Sequence, residues 1–297
     1  MSHSECRNQS KKFITSAALG FCGGVKKAVS VFESARREYS GCIYILHELV
    51  HNNFVTRKMT ANGAVFVDDP ADIPDNSLVM IGAHGVACAV ENELRKRCRV
   101  LDATCPKVKA LQKQSSEVHE DEELVMLCKL GHPEAVGVLG YSGTGKIYPV
   151  SNIMDVKSLP ELQKPVLLSQ TTVSRELVSD AERILKQRFP NLRFTGNICD
   201  ASSRRQRAAE KLAAVCQHVF VVGSSHSSNA YELVKVVKAC GTTASLIDDC
   251  NCIDPEKLND ISIIGITAGA STPDELINDV KARLTVLGYC DGGIADV

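Results

Sequence analysis

Tryptophan is absent from this 297-residue chain, and aromatic residues make up only 5% of it. With so few aromatic platforms, stacking-based binding of single-stranded nucleic acid is a poor reading. Neither sign of charge is in excess: 34 basic residues face 35 acidic ones. That balance gives no electrostatic attraction to nucleic acid or an anionic membrane. No apolar run reaches the ~18 residues of a membrane span, and the opening "MSHSECRNQSKK" is polar, so no membrane or targeting segment is read there. These absences leave the expectation of a cytoplasmic protein that acts on something small.

Cysteine, by contrast, is plentiful at 13 residues, an odd count. In a reducing cytosol such thiols serve as buried small hydrophobes, metal ligands or catalytic groups, seldom as disulfides. Hydrophobic residues make up 44% of the chain, ample for sizeable cores, and the length suggests about two domains.

Apolar, β-rich runs alternate with helical ones. "FITSAAL" precedes "VKKAVSVFESARREY", "CIYILHELV" precedes a short helix, and "SLVMIGAHGV" precedes "AVENELRKRC". The rhythm continues through the strands "ELVMLCKLG", "PVLLSQTT", "HVFVVGSS", "TTASLID" and "ISIIGITAG". This alternation predicts an α/β fold with mainly parallel sheets. The first dozen residues and the tail "CDGGIADV" read as frayed.

A unit of extended strand, cysteine and helix recurs three times, at Cys22 in "ALGFCGGVKKAV", Cys105 in "VLDATCPKVKAL" and Cys199 in "TGNICDASSRRQRAAEKL". Pro106 suits a first helical position, where an N–H is not needed. At similar offsets from each cysteine stand polar residues after apolar strands: His51 and His84, then His132 and Thr171, then Ser227 and Ser271. Ligands in α/β sheets usually sit at such strand ends. The repeats predict three pseudo-threefold lobes, spanning 23–105, 106–199 and 200–290, with 13–22 joining the third and 1–12 and 291–297 as flexible tails. Three thiols would then meet at a centre ringed by imidazoles and hydroxyls.

A thiol at a helix N-terminus sees the positive end of the helix dipole, which favours the thiolate that binds metal. Three thiolates suit zinc with an open fourth position, or an iron–sulfur cluster with one free iron. The spacing chooses neither, since no C-x-x-C pair is present. Cys6, Cys42, Cys88, Cys98, Cys128, Cys216, Cys240, Cys250, Cys252 and Cys290 read as packing or surface thiols, and "SSRRQR" at 202–207 as a solvated helix face.

The motifs "GFCGGVKKAV", "HELVHNNFV", "GAHGV", "DATCPKV", "GHPEAVG", "SQTTVS", "IC" followed by "RQ", "GSSHSSN" and "TAGASTPD" occur in that order over residues 18–288. In this the chain resembles the LytB-type 4-hydroxy-3-methylbut-2-enyl diphosphate reductases. The resemblance implies a trefoil of three α/β lobes around a [4Fe–4S] cluster held by Cys22, Cys105 and Cys199, one iron being left without a protein ligand. It implies reductive removal of the substrate hydroxyl to give isopentenyl and dimethylallyl diphosphates, with electrons from a ferredoxin- or flavodoxin-type donor. Glu134 would deliver a proton, assisted by His132. His51, His84, Ser227, Ser228, Asn229 and Ser271 would bind the diphosphate, and Thr171 would stand near the substrate hydroxyl.

Departures from the family pattern fall at Ala18–Leu19 before "GFC", at Cys128–Leu130 before "GHPE" and at Asp200–Ser202 after the third cysteine. They leave open a paralogue with another allylic diphosphate substrate or a redox-sensing role. A zinc-dependent hydrolase is the remaining alternative.

Overall fold

The computed structural model describes residues 11–195 and 198–295; His3 and Cys6, with most of the expected N-terminal tail, lie outside them. The chain divides into two compact units, residues 21–203 and residues 1–20 with 204–297. Three sheets, wholly parallel in their pairings, carry the fold.

Strand β1 (Lys12–Thr15) opens the chain, followed by helix α1 (Gly23–Glu38). The first four-stranded sheet has β2 (Ile43–Leu46), β3 (Ala64–Val67), β4 (Leu78–Ile81) and β5 (Arg99–Asp102) in the order β3-β2-β4-β5, with helices α2 (Asn53–Thr60) and α3 (Cys88–Arg97) as crossovers. Helix α4 (Pro106–Ser116) leads into the second, in which β6 (Glu123–Leu127), β7 (Ile147–Val150), β8 (Pro165–Ser169) and β9 (Arg193–Phe194) take the order β7-β6-β8-β9. Its helices are α5 (Pro133–Leu139), α6 (Ile153–Lys157) and α7 (Arg175–Arg188). Every residue of β4, β6 and β8 is buried. Parallel strands covered on both faces need such unbroken apolar runs.

The two sheets share one unit because α3, α4 and α5 interlock. Lys109 bridges Glu91 at 3.1 Å and Asp102 at 2.8 Å, and the Tyr141 hydroxyl donates to Glu91 at 2.6 Å. Gly140 fits where a Cβ would come within 2.4 Å of the Ala87 Cβ.

In the second unit α8 (Asp200–Val215) precedes β10 (His218–Val222), α9 (Ser228–Ala239), β11 (Thr243–Ile247), β12 (Ile263–Ala268), α10 (Asp274–Val286) and β13 (Cys290–Ile294). Sheet order is β11-β10-β12-β1-β13. Three expectations change here. The C-terminal stretch read as frayed forms β13 on the sheet edge, and the presumed tail residue Lys12 starts β1. All five β13 residues are exposed, so backbone pairing holds the strand: Cys290 N–H donates to the Lys11 carbonyl and Ala295 N–H to that of Thr15, both at 2.9 Å. The "SSRRQR" face is only partly solvated, since Ser202, Arg205 and Gln206 are buried. Arg205 reaches the Gly20 carbonyl through its guanidinium.

One topological feature recurs in all three sheets. From β2 the chain passes to edge strand β3 and returns on the other side as β4; β6, β7 and β8 repeat the move, as do β10, β11 and β12. Each reversal opens a crevice at the carboxyl ends of the two central strands, where α/β folds place ligands. His51 and His84 follow β2 and β4, His132 and Thr171 follow β6 and β8, and Ser227 and Ser271 follow β10 and β12.

Candidate active site

Each of the three predicted cysteines stands at the start of a helix. Cys22 and Cys105 are the N-cap residues of α1 and α4, and Cys199 immediately precedes α8. Neither cap thiol makes a side-chain capping bond. The backbone N–H of Cys105 donates to the Ala83 carbonyl at 3.0 Å and that of Cys199 to the Thr171 carbonyl at 3.2 Å, fixing both at strand ends.

Burial pushes the Cys105 thiol above its ordinary pKa, the backbone N–H groups of Lys107 and Val108 pull it down, and charge on Cys22 and Cys199 raises it again. The three sulfurs therefore share one electrostatic neighbourhood. The dipole effect expected at a helix start is present in the pull of those two N–H groups, but burial outweighs it. A bound cation would be needed to draw off the proton. Gly24 makes room for this arrangement, since a Cβ there would lie 2.6 Å from Cys105 Sγ.

The three histidines also come together. The His51 and His84 rings stack with centroids 4.2 Å apart, and His132 stands edge-on to both at 5.0 and 5.3 Å. The loops are stitched by Ala83 N–H donating to the Leu49 carbonyl at 3.0 Å. They close tightly at Gly82, whose Cβ would sit 2.8 Å from the Glu48 carbonyl oxygen. Burial lowers the pKa of His84 well below the usual value and that of His132 to about 3, with neighbouring positive charge acting the same way. Both rings are thus neutral at ordinary pH. One nitrogen from each of the three rings lies within 4.8 Å of the other two, close enough to converge on one small ion or anion.

Glu134, in the first turn of α5, is 2% exposed. Its Oε1 accepts from Thr171 N–H at 2.7 Å and its Oε2 from Thr171 Oγ1 at 2.8 Å. Burial raises its pKa above the carboxylate value; the Thr171 bonds and His51 partly offset this. His132 caps α5, its Nδ1 accepting the Glu134 backbone N–H at 3.1 Å. Cys128, read as a packing thiol, is buried within electrostatic reach of Glu134, and its pKa is pushed up to about 11, first by burial.

In the other unit, Ser227 caps α9, its Oγ accepting from Ala230 N–H at 3.3 Å, and Ser228 follows at the first helical position. Asn229 Oδ1 accepts from Ala270 N–H at 2.9 Å, which ties the α9 start to the loop carrying Ser271. Ser227, Asn229 and Ser271 are all buried.

One residue of this region escaped the sequence reading. Glu48 Oε2 lies 2.6 Å from His51 Nδ1. The signal was its position three residues before His51 in a polar turn after a strand.

The LytB protein family model matches residues 13–285. The 4-hydroxy-3-methylbut-2-enyl diphosphate reductase of Actinobacillus succinogenes is 38% identical over 285 residues, covering 93% of this chain and 91% of the relative. The solved E-1-hydroxy-2-methyl-but-2-enyl-4-diphosphate reductase from Plasmodium falciparum superposes with a TM-score of 0.88 at 28% identity, covering 96% and 92% of the two chains. A further solved structure, of (E)-4-hydroxy-3-methyl-but-2-enyl diphosphate reductase, the terminal enzyme of the non-mevalonate pathway, gives 0.66 at 29% identity over 93% and 99%. With nearly the full length matched by sequence and by fold, this chain belongs to the LytB protein family.

Proposed function

We propose that this chain is the oxidoreductase that removes the hydroxyl of 4-hydroxy-3-methylbut-2-enyl diphosphate as water. The reaction takes up two electrons and two protons and yields isopentenyl and dimethylallyl diphosphates. The observation that carries this reading is Glu134: a buried carboxyl of raised pKa, bonded through both oxygens to Thr171, beside three clustered imidazoles.

Cys22, Cys105 and Cys199 would hold a [4Fe–4S] cluster, and the donor set fits: three thiols, none in a disulfide, sharing one electrostatic neighbourhood with a glycine leaving space beside Cys105. Bound there, the cluster would supply the electrons and an iron without a protein ligand as Lewis acid. Burial disfavours the Glu134 carboxylate and so favours the form that can give a proton. For transfer the Thr171 hydroxyl turns its own proton to the departing hydroxyl, so that Oγ1 accepts the carboxyl proton from Oε2 across the same 2.8 Å contact. His132 holds the Glu134 backbone through its cap bond.

The diphosphate is assigned to N–H and O–H donors: His51, His84, Ser227, Ser228, Asn229 and Ser271. Hydroxyls, an amide and imidazoles satisfy phosphate oxygens without a lysine or arginine. The α9 N-terminus adds backbone N–H groups. A ferredoxin- or flavodoxin-type protein in the cytosol would supply the electrons; the reducing cytosol suits a chain whose described cysteines are all free.

Anaerobic purification with iron, zinc and sulfide analysis, then turnover with a reduced viologen, tests this. About four iron and four sulfide per chain, with allylic alcohol loss, are expected. One zinc without sulfide would support a hydrolase instead. A cluster indifferent to the allylic diphosphate would support a sensor.

A further inference from the structure

Hydrogen bonds fix the tautomer of each ring between Glu48 and Glu134. His132 Nδ1 accepts the Glu134 backbone N–H, so the neutral ring carries its proton on Nε2. That Nε2–H faces His51 Nε2 at 3.2 Å, which must be the bare nitrogen of its ring. The His51 proton therefore sits on Nδ1 and goes to Glu48 Oε2 at 2.6 Å. With His132 neutral, only this assignment satisfies all three contacts. In this state the two Nε2 atoms are engaged with each other. An anion arriving there would find the His132 N–H already donated and a lone pair on His51.

We infer that Glu48 is a positioning residue for diphosphate binding: it holds the His51 proton on Nδ1 and faces the imidazolium that forms when a solvent proton adds to His51 Nε2. That single proton converts two nitrogens bonded to each other into two N–H donors. The inference rests on the reading of His51 as a diphosphate ligand.

The surroundings match this role. Glu48 is about one-third exposed at its side chain, while His51 is largely covered. Among the described residues, His84 stacks on the His51 ring, His132 stands edge-on, and Glu134 interacts with it electrostatically; His47 acts in turn on His84. Glu48 thus places a carboxylate in hydrogen-bond contact with the His51 ring, and Glu134 is held by Thr171. Charge-assisted bonds of this kind are the stronger class.

The test uses the cluster-loaded enzyme and methanedisulfonate, a diphosphate-shaped probe whose charge does not change across neutral pH. Wild-type affinity is expected to rise as pH falls, because binding takes up a proton. Glu48→Gln is expected to weaken binding roughly 10- to 100-fold and flatten that pH dependence. For the true substrate KM should rise with kcat nearly unchanged.

In a His51→Asn background Glu48→Gln should have little further effect, since coupled residues are non-additive. Wild-type affinity in Glu48→Gln, or an equal loss in both backgrounds, would overturn the inference. If His51→Asn itself binds the probe normally, the reading of His51 as a ligand fails instead. Should Glu48→Gln not fold, the wild-type pH profile decides alone, and a flat profile refutes the proton uptake.

Discussion

Replacing Gly24 by alanine should separate fold stability from cofactor binding. Gly24 is the second residue of α1, and glycine inside a helix is worse than alanine by roughly 0.5–1 kcal/mol. On propensity alone the variant would be slightly more stable. The new methyl, however, would lie 2.6 Å from Cys105 Sγ and 3.0 Å from its Cβ. Ordinary non-bonded contacts run ~3.5–4.0 Å, so the sulfur must retreat by about 1 Å. Ligand positions in metal sites tolerate about 0.2 Å. Cys105 can rotate out of the way, but only by leaving the place it shares with Cys22 and Cys199. The expected result is a thermal midpoint at or above wild type in the metal-free protein, with iron, sulfide and brown colour sharply reduced after reconstitution. Gly24→Ser should behave alike. Full iron and sulfide in Gly24→Ala would refute the argument that this glycine exists to make room for the thiol.

Glu134→Gln keeps the side chain's size but not its transferable proton; turnover should fall by about 10²–10⁴-fold while the chromophore and its response to substrate persist. Near-normal turnover would remove Glu134 from the proton path. His84→Ala should raise the inhibition constant for inorganic diphosphate by roughly 10- to 150-fold, and an unchanged value would place His84 outside the anion site. For stability against pH, His132 is held down to about 3 in the folded chain, first by burial, against about 6.5 when unfolded. Its contribution is complete above that unfolded value and is lost as pH falls toward 3, at up to about 1.4 kcal/mol per pH unit; His84 acts with the same sign. The raised Glu134 acts in the opposite sense, its contribution being complete in acid and lost as pH rises. His132→Asn should therefore flatten the acid limb of a urea-midpoint series, and an unchanged slope would contradict the assignment.

Central strands were legible in the sequence because burial on both faces demands apolar runs such as "LVMI" and the "LVML" that follows Glu123. Most edge strands were not. β7 and β13 carry mixed or exposed residues, and their order comes from backbone pairing, which leaves no hydrophobic pattern; β3 is apolar but only four residues long and half-buried. The strand–cysteine–helix repeat was readable since a cap position and a strand end each have local signatures. Arg205 misled the reading because charge suggests solvent, and only the fold reveals the Gly20 carbonyl that receives it. Glu48 went unnoticed for a similar reason: its meaning lies in one nitrogen of His51, and sequence spacing cannot specify a tautomer. The helix-start thiols were correctly located, yet the protonation expected of them was too simple for Cys105, where desolvation competes with the dipole.

The imidazole at the start of α5 also sets a limit on how this protein can drift. Serine, aspartate and asparagine are the favoured residues at a helix start, so each is a candidate to match or improve on His132 as a cap. None offers a second ring nitrogen toward His51. Substitution there should leave a well-folded chain while disconnecting the histidine cluster from the helix that carries Glu134. A screen rewarding thermal resistance alone could accept variants at position 132 that a screen for turnover would discard. On the role proposed for His132, stability and activity would pull against each other at this position, a better helix start being forgone for the imidazole.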